Sequence, residues 1–402
     1  MGEIASQGQY GWTSKAAEKG RVKYLRTTDI TSGHLNWDTV PYCQDNPPNV
    51  EKYKIEPGDI LISRAGSVGF SALIEDVPST PAVFASYLIR YIPNSQVIPK
   101  FIARFLQSPN YWQQISDASA GIALANVNAK KLANVILPLP PLNEQKRIAE
   151  KLDSLLARVD SCQTHLERVP QILKRFRQSV LAAATSGRLT GNDENGKEKY
   201  LLLSEVIERL KTGPFGSTLH KADYISNGIP FVNPMHINDG RITPSDEMTI
   251  SKQKAKELKE FLLTRGDVVL ARRGVMGRCA VVGEREDGWL CGSGSMLLHP
   301  TERLLPEYLQ IFLSSPETVA NLVEDSVGST MSNLNQKILM ALVIRVPNVE
   351  EQAEIVRRVE KLFAYAERLE ARYLSASEHV ERLTPSLLAK AFRGELVGQE
   401  QG

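Results

Sequence analysis

Residues 1–190 and 191–398 carry one pattern written twice. Asn126-Val127-Asn128-Ala129-Lys130 returns as Asn333-Leu334-Asn335-Gln336-Lys337. Leu142-Asn143-Glu144-Gln145 returns as Val349-Glu350-Glu351-Gln352, an offset of 207 residues from Glu144 to Glu351. Pro57-Gly58-Asp59-Ile60-Leu61 with Arg64, Gly66 and Gly69 returns as Arg265-Gly266-Asp267-Val268-Val269 with Arg272, Gly274 and Gly277. Solenoid repeats run about 20–50 residues, so this period describes a duplicated globular unit instead. Two similar heads in one polypeptide suit a target with two parts.

An apolar fraction of 42% is enough for packed cores, and the net charge of +2 neither demands nor excludes a nucleic-acid partner. Cys43, Cys162, Cys279 and Cys291 form no CxxC pair and do not repeat, which fits reduced thiols in a cytoplasmic protein. The six histidines show no ligand spacing, so no metal site is expected. No apolar run reaches the roughly 18 residues of a membrane span, and the start Met1-Gly2-Glu3-Ile4-Ala5 is no signal peptide. That start looks abrupt, whereas the second copy has a run-in from Leu201.

Each copy opens on a mixed segment. Tyr24-Leu25-Arg26 and Phe231-Val232-Asn233 read as short strands, with turns at Thr31-Ser32-Gly33 and Asn238-Asp239-Gly240. Ile60-Leu61-Ile62 and Val268-Val269-Leu270 follow Gly-Asp turns and read as buried strands. Short helices are expected at about 100–107 and 307–313, stopped by Ser108-Pro109 and Ser315-Pro316. After Pro140-Pro141 the composition changes. Ile148, Leu152, Leu155, Val159, Cys162, Leu166, Val169, Leu173, Phe176 and Val180 are spaced 4-3-4-3. So are Ile355, Val359, Leu362, Ala366, Leu369, Tyr373, Ala376, Val380, Leu383 and Leu387. A sustained 3.5-residue period marks a coiled-coil seam, although it does not fix strand direction. Pro170 and Pro385 interrupt the two helices at non-equivalent places, and Thr384-Pro385 looks like a cap and first turn, so the second helix is expected to break there. Gly187 and Gly394 are natural helix stops, and residues 191–199 read as a flexible linker.

No catalytic constellation occurs in both halves. Asn46-Pro47-Pro48-Asn49 approaches the Asn/Asp-Pro-Pro-aromatic motif of amino-methyltransferases, but Asn49 cannot stack on a flipped base. No phosphate-cradling GxxxxGK[ST] loop is present.

The repeated order runs from Gly-Asp-hydrophobic with Arg-x-Gly-x-x-Gly to Asn-x-Asn-x-Lys. A Pro-rich entry then leads into Glu-Gln and a heptad helix, which closes at Ser386–Val397. This order resembles the specificity subunit of type I restriction–modification systems. The resemblance implies an α+β fold. Two similar α/β-mixed target recognition domains are each followed by a long helix. The helices pair as an antiparallel coiled coil with pseudo-twofold symmetry. The boundaries expected are 1–140 and 191–347 for the recognition domains, with 141–190 and 348–402 as helical spacers. It also implies a non-catalytic subunit that reads a bipartite target in double-stranded DNA. Two methyltransferase subunits dock on it, and separate motor–nuclease subunits cut. S-adenosylmethionine, ATP and Mg belong on those partners, and no cofactor is expected here. The alternatives are a self-contained DNA methyltransferase or nuclease, and a coiled-coil scaffold without DNA. The loops differ between copies while the helices agree, which argues against the scaffold.

Residues that read bases should differ between copies, whereas backbone clamps should repeat. Arg64 and Arg272 repeat beside their glycines; Arg273 and Arg278 are extra in the second copy. Two donor- and aromatic-rich loops are matched to each other. One carries Tyr10, Trp12, Thr13 and Lys15, and the other carries Phe215, Ser217, Thr218, His220 and Lys221. Asn126, Asn128 and Lys130 repeat as Asn333, Asn335 and Lys337, for contact with adenine or phosphate or for capping the next helix.

Overall fold

A computed structural model describes residues 1–31, 33, 35–119, 126–191, 199–214, 218–324 and 334–398. The chain forms two compact units: residues 1–167 with 374–402, and residues 168–373.

In the first unit, Gln9–Tyr10, Leu88–Tyr91, Ile60–Ser63 and Ser71–Leu73 lie side by side in one antiparallel sheet. Its central strands are buried on both faces, as the run of β-branched residues requires. Ile60, Ile62, Ile89 and Tyr91 face a core with Phe101, Phe105, Leu132, Ile148 and Leu152. Leu61 and Leu88 face the other way, toward Leu25, Ile74 and Phe84. Each such side chain contributes about 1.5–3 kcal/mol on burial. A second sheet pairs Ala16–Ala17, Tyr42–Cys43, Lys23–Leu25 and Ala82–Phe84, the last two in parallel.

The second unit repeats both sheets in the same strand order. Ile207–Thr212, Ser295–Pro300, Val268–Ala271 and Cys279–Val281 form one. Tyr224–Ile225, Thr249–Ile250, Ile229–Val232 and Leu290–Cys291 form the other. Asp239 and Gly240 both take positive φ, the geometry of a tight hairpin between Ile237–Asn238 and Arg241–Ile242. The strand Lys199–Leu202 pairs with Val343–Val346. The linker expected at 191–199 lies outside the described residues over 192–198, and Lys199 already belongs to this strand.

The expected short helices span Pro99–Phe105 and Pro306–Ser314. Ser108-Pro109 and Ser315-Pro316 end them and also start new helices, Pro109–Ser119 and Pro316–Glu324. The Ser108 and Ser315 hydroxyls accept from the backbone N–H of Tyr111 (3.2 Å) and Thr318 (3.3 Å). The near-miss at Asn46–Asn49 is structural too: the Asn49 side chain caps Val50–Tyr53, accepting from Lys52 N–H at 3.2 Å.

The repeated Glu-Gln has a mechanical reason. Gln145 is fully buried; its Oε1 accepts from Ile98 N–H (2.9 Å), and its Nε2 donates to the carbonyls of Gln96 (3.1 Å) and Pro140 (2.8 Å). Gln352 accepts from Leu305 N–H and donates to Arg303 and Pro347 carbonyls, all at 2.8 Å. One amide thus ties the start of each spacer helix to the loop that precedes Pro99 or Pro306.

The spacer helices keep the interruption expected at Pro170 and correct the one expected at Pro385. The first is the interrupted one: Leu142–Leu166 and Val169–Thr185, with Pro170 in the first turn of the latter. Pro170 brings no N–H, so the ladder lapses at Glu167 and Arg168 although both remain in the αR region. The second, Val349–Phe392, runs unbroken through Pro385. Glu381 and Pro385 lie on the exposed face, where water can take the carbonyl that the proline leaves unpaired.

Inside each unit two helical stretches run antiparallel. In the first, Ile148 and Leu152 share a core with Leu388 and Ala391, and Arg147 Nη2 donates to Gly398 O (3.0 Å). In the second, Val180 and Ala184 pack with Ile355 and Val359. Arg177 meets Glu370 at 2.6 Å, and Arg358 donates to Leu189 O at 2.6 Å, so one numbering rises as the other falls. Of the seam residues, Ile148, Leu152, Val159, Leu173, Val180, Ile355 and Val359 are buried. Leu155, Leu166, Phe176, Leu362, Leu369, Tyr373 and Val380 are half-buried. Leu383 and Cys162 are exposed, against expectation. Past Val380 the buried face moves to Leu388 and Ala391, because the helix there packs on the core of Phe101 and Phe105.

Candidate nucleic-acid interface

The repeated Arg-x-Gly-x-x-Gly is the turn that leaves each central strand. Arg64 N–H donates to Tyr87 O (2.9 Å), and Arg64 O accepts from Val127 N–H (3.0 Å). Arg272 repeats this with Gly294 O and Leu334 N–H, both at 3.0 Å. All four glycines take positive φ. Their surroundings divide them. A Cβ on Gly69 would press on Ile115 and Trp112, and one on Gly277 would overlap Val319, so these two serve packing. A Cβ on Gly66 or Gly274 would meet nothing within 4 Å. The open glycine beside the arginine is where a backbone can approach a ligand.

Electrostatics at these turns suits an anion. The Arg64 guanidinium lies 5.1 Å over the Tyr10 ring. Burial and the neighbouring Arg273 hold the Arg272 pKa below its ordinary value. An anion placed there would favour the charged guanidinium and offset the repulsion from Arg273. Arg273 is exposed. Arg278 is half-buried, and its Nη1 donates to Pro234 O at 3.2 Å, which directs part of that guanidinium inward.

Other expected contacts gather at the same turn through the backbone. Tyr10 Oη accepts from Ala129 N–H at 3.0 Å, and Asn126 bridges Ala65. The asparagines after the turn cap helices: Asn128 accepts from Lys131 N–H and Asn335 from Ile338 N–H, each at 2.9 Å. Lys130 and Lys337 are exposed. Trp12 has a packing role, its Nε1 donating to Asp45 O (2.8 Å) and its ring 5.7 Å from Tyr53. Thr13 and Lys15 are exposed beside it. Thr218, His220 and Lys221 are exposed around buried Leu219, which packs with Phe231, Ile250 and Leu258. Phe215, Ser217 and Asn333 lie outside the described residues.

The matching of the two loops needs correction. A Cβ on Gly11 would overlap the carbonyl oxygens of Phe84 and Ala85, and one on Gly213 those of Gly292 and Cys291. Gly11 therefore corresponds to Gly213, not Gly216. Met1 N donates to Val135 O (2.7 Å) as Leu203 N–H donates to Leu342 O (2.8 Å), at the same shorter offset. The turns between this loop and the next strand differ in length, which displaced the sequence match by three residues.

The repeated Gly-Asp also has a structural role. Asp59 Oδ2 accepts from Glu56 N–H (3.0 Å) and pairs with Arg90 at 3.3 Å. Asp267 Oδ2 accepts from Thr264 N–H (2.8 Å) and meets Arg209 at 2.6 Å, while its Oδ1 meets His299 at 2.7 Å. Neither arginine stood out in the sequence, because each partner lies on a strand distant in the chain.

The family described as "Type I restriction modification DNA specificity domain" matches residues 1–171 and 185–376. The Type I restriction enzyme EcoBI specificity subunit of Escherichia coli is 34% identical over 410 residues, covering 97% of this chain and 84% of that protein. The EcoKI specificity subunit of Escherichia coli K12 is 34% identical over 388 residues, covering 93% and 82%. The crystal structure of the HsdS subunit from Thermoanaerobacter tengcongensis shares the fold, with a TM-score of 0.66 at 21% identity over 98% of this chain and 95% of that one.

Proposed function

Because the chain belongs to the type I restriction–modification DNA specificity family, we propose that its two units read the two halves of one split DNA sequence. A DNA-specificity role without catalysis follows from membership. The observation that supports a split target is the contrast within the repeat: the frames agree strand for strand, while the turns at Arg64 and Arg272 present different side chains. Arg64 and Arg272 hold phosphates, and Arg273 and Arg278 read bases at one half only. The functional boundaries are 1–140 and 191–347 for reading, with 141–190 and 348–402 as spacers. The spacers set the gap between half-sites and dock two methyltransferase subunits; motor–nuclease subunits join that complex. S-adenosylmethionine, ATP and Mg act on those partners.

Selection from random duplexes, with the methyltransferase partner present, tests this. Two short base sets separated by an unread gap are expected. Arg273→Ala should relax one set, while Arg64→Ala should weaken binding to all sequences. One heptad added to each spacer lengthens it by about 10 Å, so the gap should grow by roughly three base pairs. A single continuous site, or an unchanged gap, overturns the corresponding part of the proposal.

A further inference from the structure

Tyr87 sits on the turn between Ala82–Phe84 and Leu88–Tyr91 and is 60% exposed. Its backbone is fixed: Tyr87 O accepts from Arg64 N–H at 2.9 Å, and the next residue, Leu88, is fully buried. The ring is therefore carried on a strand end tied through its backbone to Arg64, whose guanidinium lies over Tyr10. In the second unit Gly294 O accepts from Arg272 N–H in the same way, and no side chain stands there. The two units thus share the backbone contact and differ in what it presents. Frame residues such as Asp59 and Asp267 repeat, but this position does not.

We infer that Tyr87 is a base-contacting, specificity-determining residue of the first unit, with Arg64 beside it on the phosphate. An aromatic ring supplies a face against a base or a thymine methyl, and the hydroxyl can donate to or accept from a base edge. The inference rests on the split-target reading. It adds a residue that the repeat does not single out, since Gly294 stands at the matching place.

The test is selection from random duplexes by the full chain with its methyltransferase partner, using wild type, Tyr87→Ala, Tyr87→Phe and Arg273→Ala. Tyr87→Ala should lower discrimination by about tenfold at one or two positions of one half-site. That half-site should be the one untouched by Arg273→Ala. Tyr87→Phe matching wild type assigns the contact to the ring, and Tyr87→Phe matching Tyr87→Ala assigns it to the hydroxyl; either supports the inference. Unchanged base preference in Tyr87→Ala, or uniform weakening for all sequences, overturns it while leaving the split-target reading intact. If wild type itself selects no split sequence, both fall. Thermal melting of Tyr87→Ala should match wild type, since the side chain is mostly exposed; a large drop makes Tyr87 structural and also overturns the inference.

Discussion

Asp59 and Asp267 occupy the same buried corner of the two units, yet their cations come from different strands. In the first unit the edge strand offers Gln9 and the next strand Arg90, facing each other in register. In the second the edge strand offers Arg209 and the next strand His299, again in register. The aspartate closes its own turn in both, so it cannot change without losing the turn. The charge that balances it can sit on either neighbour, since Arg90 from the one and Arg209 from the other both reach the Oδ2 oxygen. Duplicated frames therefore keep the group that makes the backbone bonds and let the partner drift.

The sharpest way to break this comparison is Arg90→Ala. Removing one member of a buried pair leaves a charge without compensation, at a loss of about 3 kcal/mol. Hydrogen exchange at Ile60–Ser63 should accelerate while Val268–Ala271 stays protected. Gln9→Arg with Arg90→His installs the second unit's arrangement and should restore most of the protection; no recovery would mean that the two corners are not equivalent.

Gln145→Leu and Gln352→Leu come next. Each leaves a buried N–H and carbonyls unmatched, at about 2 kcal/mol. The loss should be equal in the two units, because the three hydrogen bonds are the same. Denaturant unfolding followed separately at each unit checks this, and unequal losses would show that the clamp has diverged as the cations have.

His299→Ala should matter less, about 1 kcal/mol, because Arg209 still balances Asp267. Proton release gives the smallest effect. Burial raises the Asp59 pKa despite Arg90. A carboxyl whose folded pKa exceeds its unfolded one stabilises the fold below the unfolded pKa, and that contribution is lost as pH rises through the folded pKa. Wild type should thus gain slightly on Asp59→Asn as the pH falls from neutral through that raised pKa. A gap that widens the other way would mean that Arg90 outweighs burial.

Much of this frame was legible in the residues. The repeat located both Gly-Asp turns, both central strands and both Arg-Gly turns, because each signal is local and recurs. The a/d spacing located most of the buried helical face. It misplaced Leu383 because a period carries no information about what the helix packs against beyond Val380. Both Pro170 and Pro385 read as interruptions, but only the first accompanies a break and the second helix runs on; a proline's effect depends on its position within the helix. Gln145 and Gln352 were visible as repeated letters, but their clamp joins residues 47 apart, from Ile98 to Gln145 and from Leu305 to Gln352. The Gly11–Gly213 match was hidden by turns of unequal length.

The composition of the first unit has a consequence for synthesis. Residues 168–373 form the second unit as one continuous stretch, whereas the first needs Leu388 and Ala391 beside residues from 1–167. During translation at about 5–20 residues per second, residues 1–167 wait roughly 10–40 seconds for that helix. The core around Phe101 and Phe105 stays incomplete meanwhile, its apolar surface open to chaperones. The half of the protein made first is thus finished last.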